Sequence, residues 1–329
     1  MNPYIIILIR FAAVLLCGSI QSMEAADDDY NSWYPVPSLA NQFSIKNHTG
    51  IVSDSKAIRM PSAEIRGLEI KDDSAAHWPM LANRMTNVAW LQIMTTNVIL
   101  STSLLASVTN FERVEFLHIV AKQAIQVPDS VSLLTNLTSL KYLGLVVPKA
   151  TNISARIYGL ATLREIFLRV DSVALPDGIS NLHRLQMLRI HSSLTTPIIG
   201  LPLDLAASNV RHLEIFRVPN LPNMLPRLPK QVIGLYVFRC KLDAFPSEWL
   251  SCSSIQALVL GKNEFTTFPS ELLALPSLKR LSLELNKITN VPPLKLSDDR
   301  QLKIHLKGNP IEQFASENEP LVQHGVLQK

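Results

Sequence analysis

Apolar and polar residues follow a fixed order in the last third of the chain. The stretches 255–263, 278–286 and 301–309 each carry apolar residues at their fourth and sixth positions and asparagine at their ninth. Two apolar residues that lie two apart project from the same face of a β-strand, because side chains alternate between its faces. The pattern therefore predicts three short strands that recur every 23 residues, each followed by a turn.

The same frame continues toward the N-terminus and gives eleven units. Their ninth positions are 22 to 26 residues apart, at Asp73, Thr96, Lys122, Pro148, Asp171, Ser193, Val218, Cys240, Asn263, Asn286 and Asn309. The apolar pairs that define the eleven strands are Leu68/Ile70, Leu91/Ile93, Leu117/Ile119, Leu143/Leu145, Ile166/Leu168, Leu188/Ile190, Leu213/Ile215, Leu235/Val237, Leu258/Leu260, Leu281/Leu283 and Ile304/Leu306. A unit of this size cannot bury its apolar face alone, so we expect the units to stack on one another.

The second half of many units carries a proline after an apolar residue, at Pro128, Pro176, Pro246, Pro269 and Pro292. Proline is favoured at the first position of a helix, where its missing N–H costs nothing. These prolines predict short helical or 3₁₀ turns on the side of each unit opposite its strand.

The two motifs, L-x-x-L-x-L-x-x-N and L-P-x-x-L, resemble those of leucine-rich repeat proteins, particularly secreted members, receptor ectodomains and Ras-interacting members. The resemblance covers about residues 62 to 312. It implies an α/β solenoid: a curved horseshoe with a parallel concave sheet of about eleven strands and short helical, 3₁₀ or irregular convex segments. It also implies a binding surface, because such solenoids usually bind partners rather than catalyse reactions.

In this family the asparagine side chains hydrogen-bond the backbone of neighbouring turns and form a ladder. Only the last three units of this chain have asparagine at that position, so we expect a broken ladder in the earlier ones. Cys240 stands at a ladder position and Cys252 at a core leucine position, so both thiols are expected to be buried. A disulfide between them is the alternative. The sequence has none of the paired-cysteine caps of many extracellular members.

The N-terminal segment has the features of a secretory signal. The apolar run 11–20 follows Arg10, and small residues precede an acidic stretch, so we assign residues 1–25 to a signal peptide. The apolar run 5–9 before that arginine leaves an uncleaved membrane anchor as the alternative. Residues 26–60 are expected to form an irregular extension or cap, 61–312 the repeat domain, and 313–329 a C-terminal tail or cap. Candidate glycosylation sites are Asn47, Asn136 and Asn152.

Composition narrows the functional classes. The chain is 47% hydrophobic and 18% charged, so it can bury a large core and is not a disordered protein. Its formal charge of +4 lacks the concentrated basic stripe of a nucleic-acid binder. The eight histidines are scattered, and no phosphate-binding loop, nucleophile elbow or zinc-protease motif occurs. We therefore predict no catalytic residues, no metal and no cofactor; an enzyme with a site in the loop 194–208 is a remote alternative.

The outward positions of the strands form three columns: before the first core residue, between the two core residues, and after the second. The first column brings together Trp90, Phe116 and Tyr142. A second cluster combines rings with arginine at Phe167, Arg189, Phe216, Tyr236, Phe238 and Arg239. Aromatic residues and arginine are enriched at the energetic centres of protein interfaces, so these nine residues are the predicted partner contacts. The alternatives are packing of the rings within their columns, covering by the N-terminal extension, and self-association.

These observations lead to one functional hypothesis and one close variant. The chain is expected to be a secreted, non-enzymatic protein, monomeric or weakly self-associating, that binds an unknown protein through its concave face. The variant is a receptor-like ectodomain, held at a membrane by the N-terminal segment or derived from a receptor kinase that has lost its other domains.

Overall fold

The structure is a computed structural model that describes residues 51–53, 66–71, 86–96, 100–192, 199–219, 221–296 and 301–328. Its main element is a single parallel sheet of 13 strands, stacked in the order in which they occur along the chain. All strand pairs are parallel, so each unit returns to the same edge of the sheet before the next strand begins. The chain therefore folds as an α/β solenoid of the leucine-rich repeat type.

Eleven of these strands are the predicted ones. Their bounds are Gly67–Lys71, Trp90–Met94, Phe116–Val120, Tyr142–Val146, Glu165–Arg169, Met187–His191, His212–Phe216, Gly234–Phe238, Ala257–Val259, Arg280–Ser282 and Lys303–His305. Core residues stand opposite core residues in the register, as Leu91 opposite Leu117 and Leu117 opposite Leu143. Both members of every predicted pair are buried in one continuous core. The predicted repeat frame is confirmed.

Two further strands extend the sheet at its ends. Ile51–Ser53 pairs with Gly67–Glu69, and Leu327–Gln328 pairs with Ile304–His305. The sequence analysis expected irregular structure in the first of these segments and did not assign a strand to the second. The reason for both additions is physical: an end strand otherwise presents unpaired N–H and C=O groups, and a short added strand pairs them.

Short helical turns occupy the convex side. The 3₁₀ segments are Asp129–Asn136, Ala155–Gly159, Ile179–Asn181, Leu203–Ala207, Ser247–Ser251, Ser270–Ala274 and Ser316–Asn318. The α-helical segments are Thr102–Val108, Leu221–Met224 and Glu319–Gln323. Two small convex sheets pair Gln126–Val127 with Asn152–Ile153, and Asn290–Val291 with Gln313–Phe314. Pro128, Pro246 and Pro269 each immediately precede a 3₁₀ segment, so the predicted turns are confirmed there, with proline one position before the first helical residue. Pro176 lies three residues before the segment Ile179–Asn181, and residues 293–296 after Pro292 form no helical turn.

The asparagine ladder is present in the last units. Asn286 donates to the carbonyls of Leu260 at 2.9 Å and Leu283 at 2.8 Å, and it accepts from the amide of Phe265. Asn263 and Asn309 make equivalent bonds. At the preceding position Cys240 is buried and its thiol donates to the carbonyl of Phe238 at 3.2 Å, so a weaker bond replaces the amide there.

The residue before each ladder position in the last five units lies in a left-handed conformation. These residues are Arg217, Arg239, Lys262, Leu285 and Gly308, with φ between 53° and 77°. The turn closes in the same way on each rung, although only the last has glycine, the residue for which this conformation carries no steric cost. Cys240 and Cys252 are both buried and free, so the disulfide alternative is wrong.

The asparagine ladder predicts how much stability is lost when one of its members is replaced. Replacing Asn286 with alanine leaves the carbonyls of Leu260 and Leu283 without that donor and the amide of Phe265 without that acceptor, inside the solenoid. The carbonyls of Leu260 and Leu283 keep Asn263 and Asn309 as donors, so the buried group that loses its partner is the amide of Phe265. An unsatisfied buried group of this kind costs about 1–3 kcal/mol. We expect Asn286→Ala to lower the free energy of unfolding by about 1–3 kcal/mol in urea denaturation. The control is Asn181→Ala, since Asn181 is exposed on the convex side. Equal effects of the two substitutions would contradict a stabilising ladder.

Candidate functional site

The predicted contact residues all lie on the concave side of the sheet or at its rim. The register places Trp90 opposite Phe116 and Phe116 opposite Tyr142, so the first column is continuous over three strands. Phe167 stands opposite Arg189, and Phe216 opposite Phe238. Arg239 follows directly after the strand Gly234–Phe238. The register therefore places these residues on the outward side of the sheet, and their contact with a partner stays a prediction.

These rings, with two histidines, form one oblique chain of contacts across the sheet. The rings of Trp90 and Phe116 stack with centroids 5.7 Å apart, and those of Phe116 and Tyr142 with centroids 3.8 Å apart. We call the whole chain the ring ladder; its members, in order of contact, are Trp90, Phe116, Tyr142, His118, Phe167, His191 and Phe216. It begins in the first column and ends in the third, so it crosses the concave face diagonally.

Glycines leave room for the rings. A Cβ at Gly144 would overlap the imidazole of His118 and approach the hydroxyl of Tyr142 to 2.8 Å. At Gly234 a Cβ would come within 2.9 Å of the ring of Tyr236. No side chain fits at these places, because neighbouring strands are only about 4.8 Å apart. On the outward face, large rings therefore occupy the space that the glycines leave, so this face is filled by packed side chains, as the interior is.

The rings are consequently buried. Trp90 is 3% exposed, Phe116 1% and Tyr142 2%, and Phe167 and Phe216 are 6% and 4% exposed. Tyr236 and Phe238 are equally hidden. If these rings contacted a partner, they would form an apolar patch exposed to solvent. The structure instead favours the alternative named from the sequence, in which the rings pack within and across their columns. Covering by the N-terminal extension concerns residues outside the described ones.

Buried charges occupy the centre of this face. Arg189 donates to both carboxylate oxygens of Glu214, at 3.0 and 3.2 Å, and lies 3.8 Å from Glu165. The Nε2 atom of His191 lies 2.5 Å from the same Glu214 carboxylate. The guanidinium of Arg189 also stands 5.4 Å from the centroid of the Phe167 ring. Arg189 was predicted to contact a partner; in the structure it is committed to two internal carboxylates.

These carboxylates were not predicted as partners of Arg189, although the signal was available in the sequence. Glu165 and Glu214 belong to the strands on either side of Arg189, and the register places Glu214 directly opposite it. Burial opposes the charge of Glu214, but Arg189 and His191 outweigh it and hold the pKa of Glu214 at about 2. Burial alone would lower the pKa of Arg189, yet Glu214 and Glu165 raise it above its usual value. Both groups are therefore ionised at neutral pH.

His118 is the neutral member of the same face. Its ring stacks between those of Tyr142 and Phe167, and its Nδ1 atom lies 3.4 Å from the hydroxyl of Tyr142. Burial, reinforced by the charge of Arg189, lowers the pKa of His118 to about 4. Burial likewise lowers the pKa of His191, against the opposing influence of Glu214. The concave face thus holds imidazoles that resist protonation.

Arginine side chains at the rim of the sheet remain accessible. The guanidinium groups of Arg217 and Arg239 lie 5.2 and 5.9 Å from the centroid of the Phe216 ring, and both side chains are half-buried. Burial and the neighbouring charge of Arg217 lower the pKa of Arg239. Arg169, at the same column as Phe216, is also half-buried. The cationic groups, rather than the rings, are what the face offers to solvent.

The remaining predicted sites lie elsewhere. Asn136 and Asn152 are exposed on the convex side, where a glycan would have room, and glycosylation there remains a prediction. Asn47 lies outside the described residues, as does the signal segment. None of the helices in the described part of the chain has the length and hydrophobicity needed to cross a membrane.

The burial of His118 predicts how the free energy of unfolding changes at acid pH. The unfolded chain takes up a proton at His118 near pH 6.5, but the folded protein does so only near pH 4. The contribution of this group is therefore present above pH 6.5 and is lost as the pH falls from 6.5 to 4. A shift of this size corresponds to about 3 kcal/mol of unfolding free energy. We expect His118→Gln to flatten the fall in urea-unfolding free energy over that range.

The control for this experiment is His324→Gln, because His324 is exposed in the C-terminal segment. That variant should reproduce the acid dependence of the unmodified protein. Glu214 does not interfere, since its low pKa confines its own contribution to pH values below about 4.5. Identical pH profiles for His118→Gln and the unmodified protein would contradict this prediction, because they would show that folding does not hinder protonation of His118.

Comparisons with known proteins give the following results. No protein-family model and no curated protein sequence matches this chain. Among solved structures, a leucine-rich repeat protein of Leptospira interrogans is similar at 15% identity over 81% of this chain and 90% of that one, with a TM-score of 0.35. The internalin InlF of Listeria monocytogenes is similar at 13% identity over 91% and 95%, with a TM-score of 0.46.

A chain of the Drosophila Toll–Spatzle complex is similar at 16% identity over 74% of this chain and 36% of that one, with a TM-score of 0.41. All three similarities are distant and concern the fold. The repeat frame and the 13-stranded parallel sheet identify the chain, by its own structure, as a leucine-rich repeat solenoid.

Proposed function

We propose that this chain is a non-enzymatic, secreted interaction protein that binds an acidic surface of a protein partner through its concave face. The observation that carries the proposal is the pair of half-buried guanidinium groups, Arg217 and Arg239, held at the ring of Phe216. Among the described residues no carboxylate forms an ion pair with Arg239. An arginine fixed on an aromatic ring is pre-oriented for a carboxylate, because less side-chain freedom is lost on binding.

The charges of the whole face support an acidic partner. Within the described part of the three outward columns and the adjoining turn, the accessible cations are Arg169, Arg217, Arg239, Lys262, Arg280, Lys303 and Lys307. The accessible acids there are Glu69 and Glu284. Glu284 lies beside the imidazole of His305, so one of its carboxylate oxygens faces a ring nitrogen of this chain. Such an imbalance accelerates association with an acidic surface and excludes basic ones.

The predicted aromatic contacts have a different role in this proposal. Trp90, Phe116, Tyr142, Phe167, Tyr236 and Phe238 are buried in the concave face, so little of their surface is open to a partner. The ring that contacts Arg217 and Arg239 is that of Phe216. In this proposal it holds these two cations in place before binding.

Secretion is part of the proposal and is supported by the N-terminal apolar segment and by the exposure of Asn136 and Asn152. The receptor-like variant, with the N-terminal segment retained as a membrane anchor, uses the same binding face. It differs only in whether the mature chain begins near residues 23–27.

Charge reversal at two accessible positions tests the binding face. The double variant Arg169→Glu/Arg239→Glu should retain its thermal midpoint within a few degrees, because both side chains are partly solvated. The matched control is Arg156→Glu, which changes an exposed arginine on the convex side. Each protein would be immobilised and exposed to extracellular fluid of the source organism, and the retained proteins would be quantified by mass spectrometry.

We expect a protein that both the unmodified chain and Arg156→Glu retain, and that the double variant loses. Titration of that protein should then show at least a tenfold weaker dissociation constant for the double variant and a marked dependence on salt. Retention of the same proteins by all three forms would show that the concave cations do not bind a partner.

A further inference from the structure

A cavity of about 450 Å³ lies at the edge where the chain enters the concave strands, apart from the ring ladder. Three of the residues that line it are arginines, Arg164, Arg184 and Arg211. Two of them immediately precede the strands Glu165–Arg169 and His212–Phe216. We call this the basic cavity. The concave-face proposal makes no use of it.

Backbone pairing fixes the spacing of the three arginines. The amide of Gln186 donates to the carbonyl of Arg164 at 2.8 Å, and the amide of Arg211 donates to the carbonyl of Gln186 at 2.8 Å. Arg164 and Arg211 are therefore two rungs apart, about 10 Å at the usual strand spacing. Arg184 belongs to the rung between them, two residues before Gln186. Asn209 donates to the carbonyl of His183 at 3.1 Å and ties two of these rungs together.

All three arginines adjoin residues of the core. Leu163, Leu185 and Val210 are buried in the core. Each arginine adjoins one of these buried residues, Arg164 and Arg211 in bends and Arg184 in a turn before its strand, and all three side chains line the cavity. Arg164, Arg184 and Arg211 are all exposed. Long side chains anchored within about 10 Å of one another can direct their guanidinium groups at one ligand.

The cavity has charge of one sign. None of the ion pairs among the described residues includes Arg164, Arg184 or Arg211. The rung before Arg164 differs, because Lys141 there pairs with Glu115 at 2.6 Å. The other lining side chains include the amides of Gln186, Asn209 and Gln231, which can donate hydrogen bonds, and none of the described residues that line the cavity carries a carboxylate. Three like charges thus converge on a polar space without a neutralising acid.

We propose that the basic cavity binds a compact oxyanion, a sulfate or phosphate group, either as the free ion or as an ester. The forked guanidinium group matches the oxygens of such groups with paired, charge-assisted hydrogen bonds. The volume falls within the range of about 300–1,000 Å³ that is typical of small-molecule sites, so it leaves room for the sugar or alcohol that carries an ester. The site needs no conformational change, because sheet hydrogen bonds fix its rungs.

The test observes the arginine side chains directly. Protein labelled with ¹⁵N-arginine is titrated with inorganic sulfate and, separately, inorganic phosphate at constant ionic strength, and the Nε resonances are followed by NMR. Single Arg→Gln variants assign the signals. We expect Arg164, Arg184 and Arg211 to shift together and to saturate with one dissociation constant. Exposed Arg156 on the convex side is the internal reference, and its signal should show no saturation.

Substitution tests convergence. Arg184→Gln should weaken the dissociation constant reported by Arg164 and Arg211 at least tenfold, whereas Arg156→Gln should leave it unchanged. Both arginines are exposed, so neither substitution should unfold the protein, and a change in the dissociation constant reports a change in binding. Unsaturable shifts that match those of Arg156, or independent titration of the three arginines, would overturn the proposal.

A second arm identifies the carrier of the group. A heparin-derived tetrasaccharide and its desulfated form are titrated against the same signals. Competition between the sulfated form and inorganic sulfate would assign the site to a sulfate ester of a polysaccharide. Saturation by the inorganic ions without such competition would assign it to a free ion or a phosphate ester. Each of these two results supports an oxyanion site. The capture experiment on the concave face uses other residues, so its outcome does not depend on the outcome of these titrations.

Discussion

In-register hydrogen bonding between parallel strands is the constraint on which this structure depends. It places the same position of each unit directly over that of the previous one, about 4.8 Å away. The core residues therefore stack in continuous rows, and Asn286 reaches back to the carbonyl of Leu260 on the preceding turn. The outward residues obey the same rule. The stacking of Phe116 on Tyr142, the pairing of Arg189 with Glu214 and the spacing of the basic cavity all follow from it.

This spacing decides what the concave face can offer a partner. Large rings on adjacent rungs contact each other before they contact anything else, and Gly144 and Gly234 remove the side chains that would obstruct them. The result is a second packed layer on the face that the resemblance marks as the binding surface. We therefore propose that specificity depends on the charged groups at its margin, such as Arg169, which is half-buried, and Arg239, whose guanidinium group lies against the ring of Phe216.

Much of the fold could be predicted from the sequence, because the period-two apolar pairs define both the strands and their register. The end strands could not, since segments of two or three residues such as Leu327–Gln328 carry no alternation signal. The face of each site residue was predictable, but its exposure was not, because exposure depends on side-chain volume relative to strand spacing. The strand register alone would have been enough to predict the carboxylate partners of Arg189. The role of Arg184 in the basic cavity was not, because it lies before its strand begins.

The concave rings stabilise the fold as core residues do, and the substitution Phe116→Ala measures this stabilisation. Phe116 is 1% exposed on the outward face, between Trp90 and Tyr142. We expect the substitution to lower the free energy of unfolding by about 3–5 kcal/mol, as for a buried phenylalanine. The control is Leu203→Ala, because Leu203 is 87% exposed. A loss for Phe116→Ala no larger than that of the control, within about 0.5 kcal/mol, would show that the rings do not stabilise the fold.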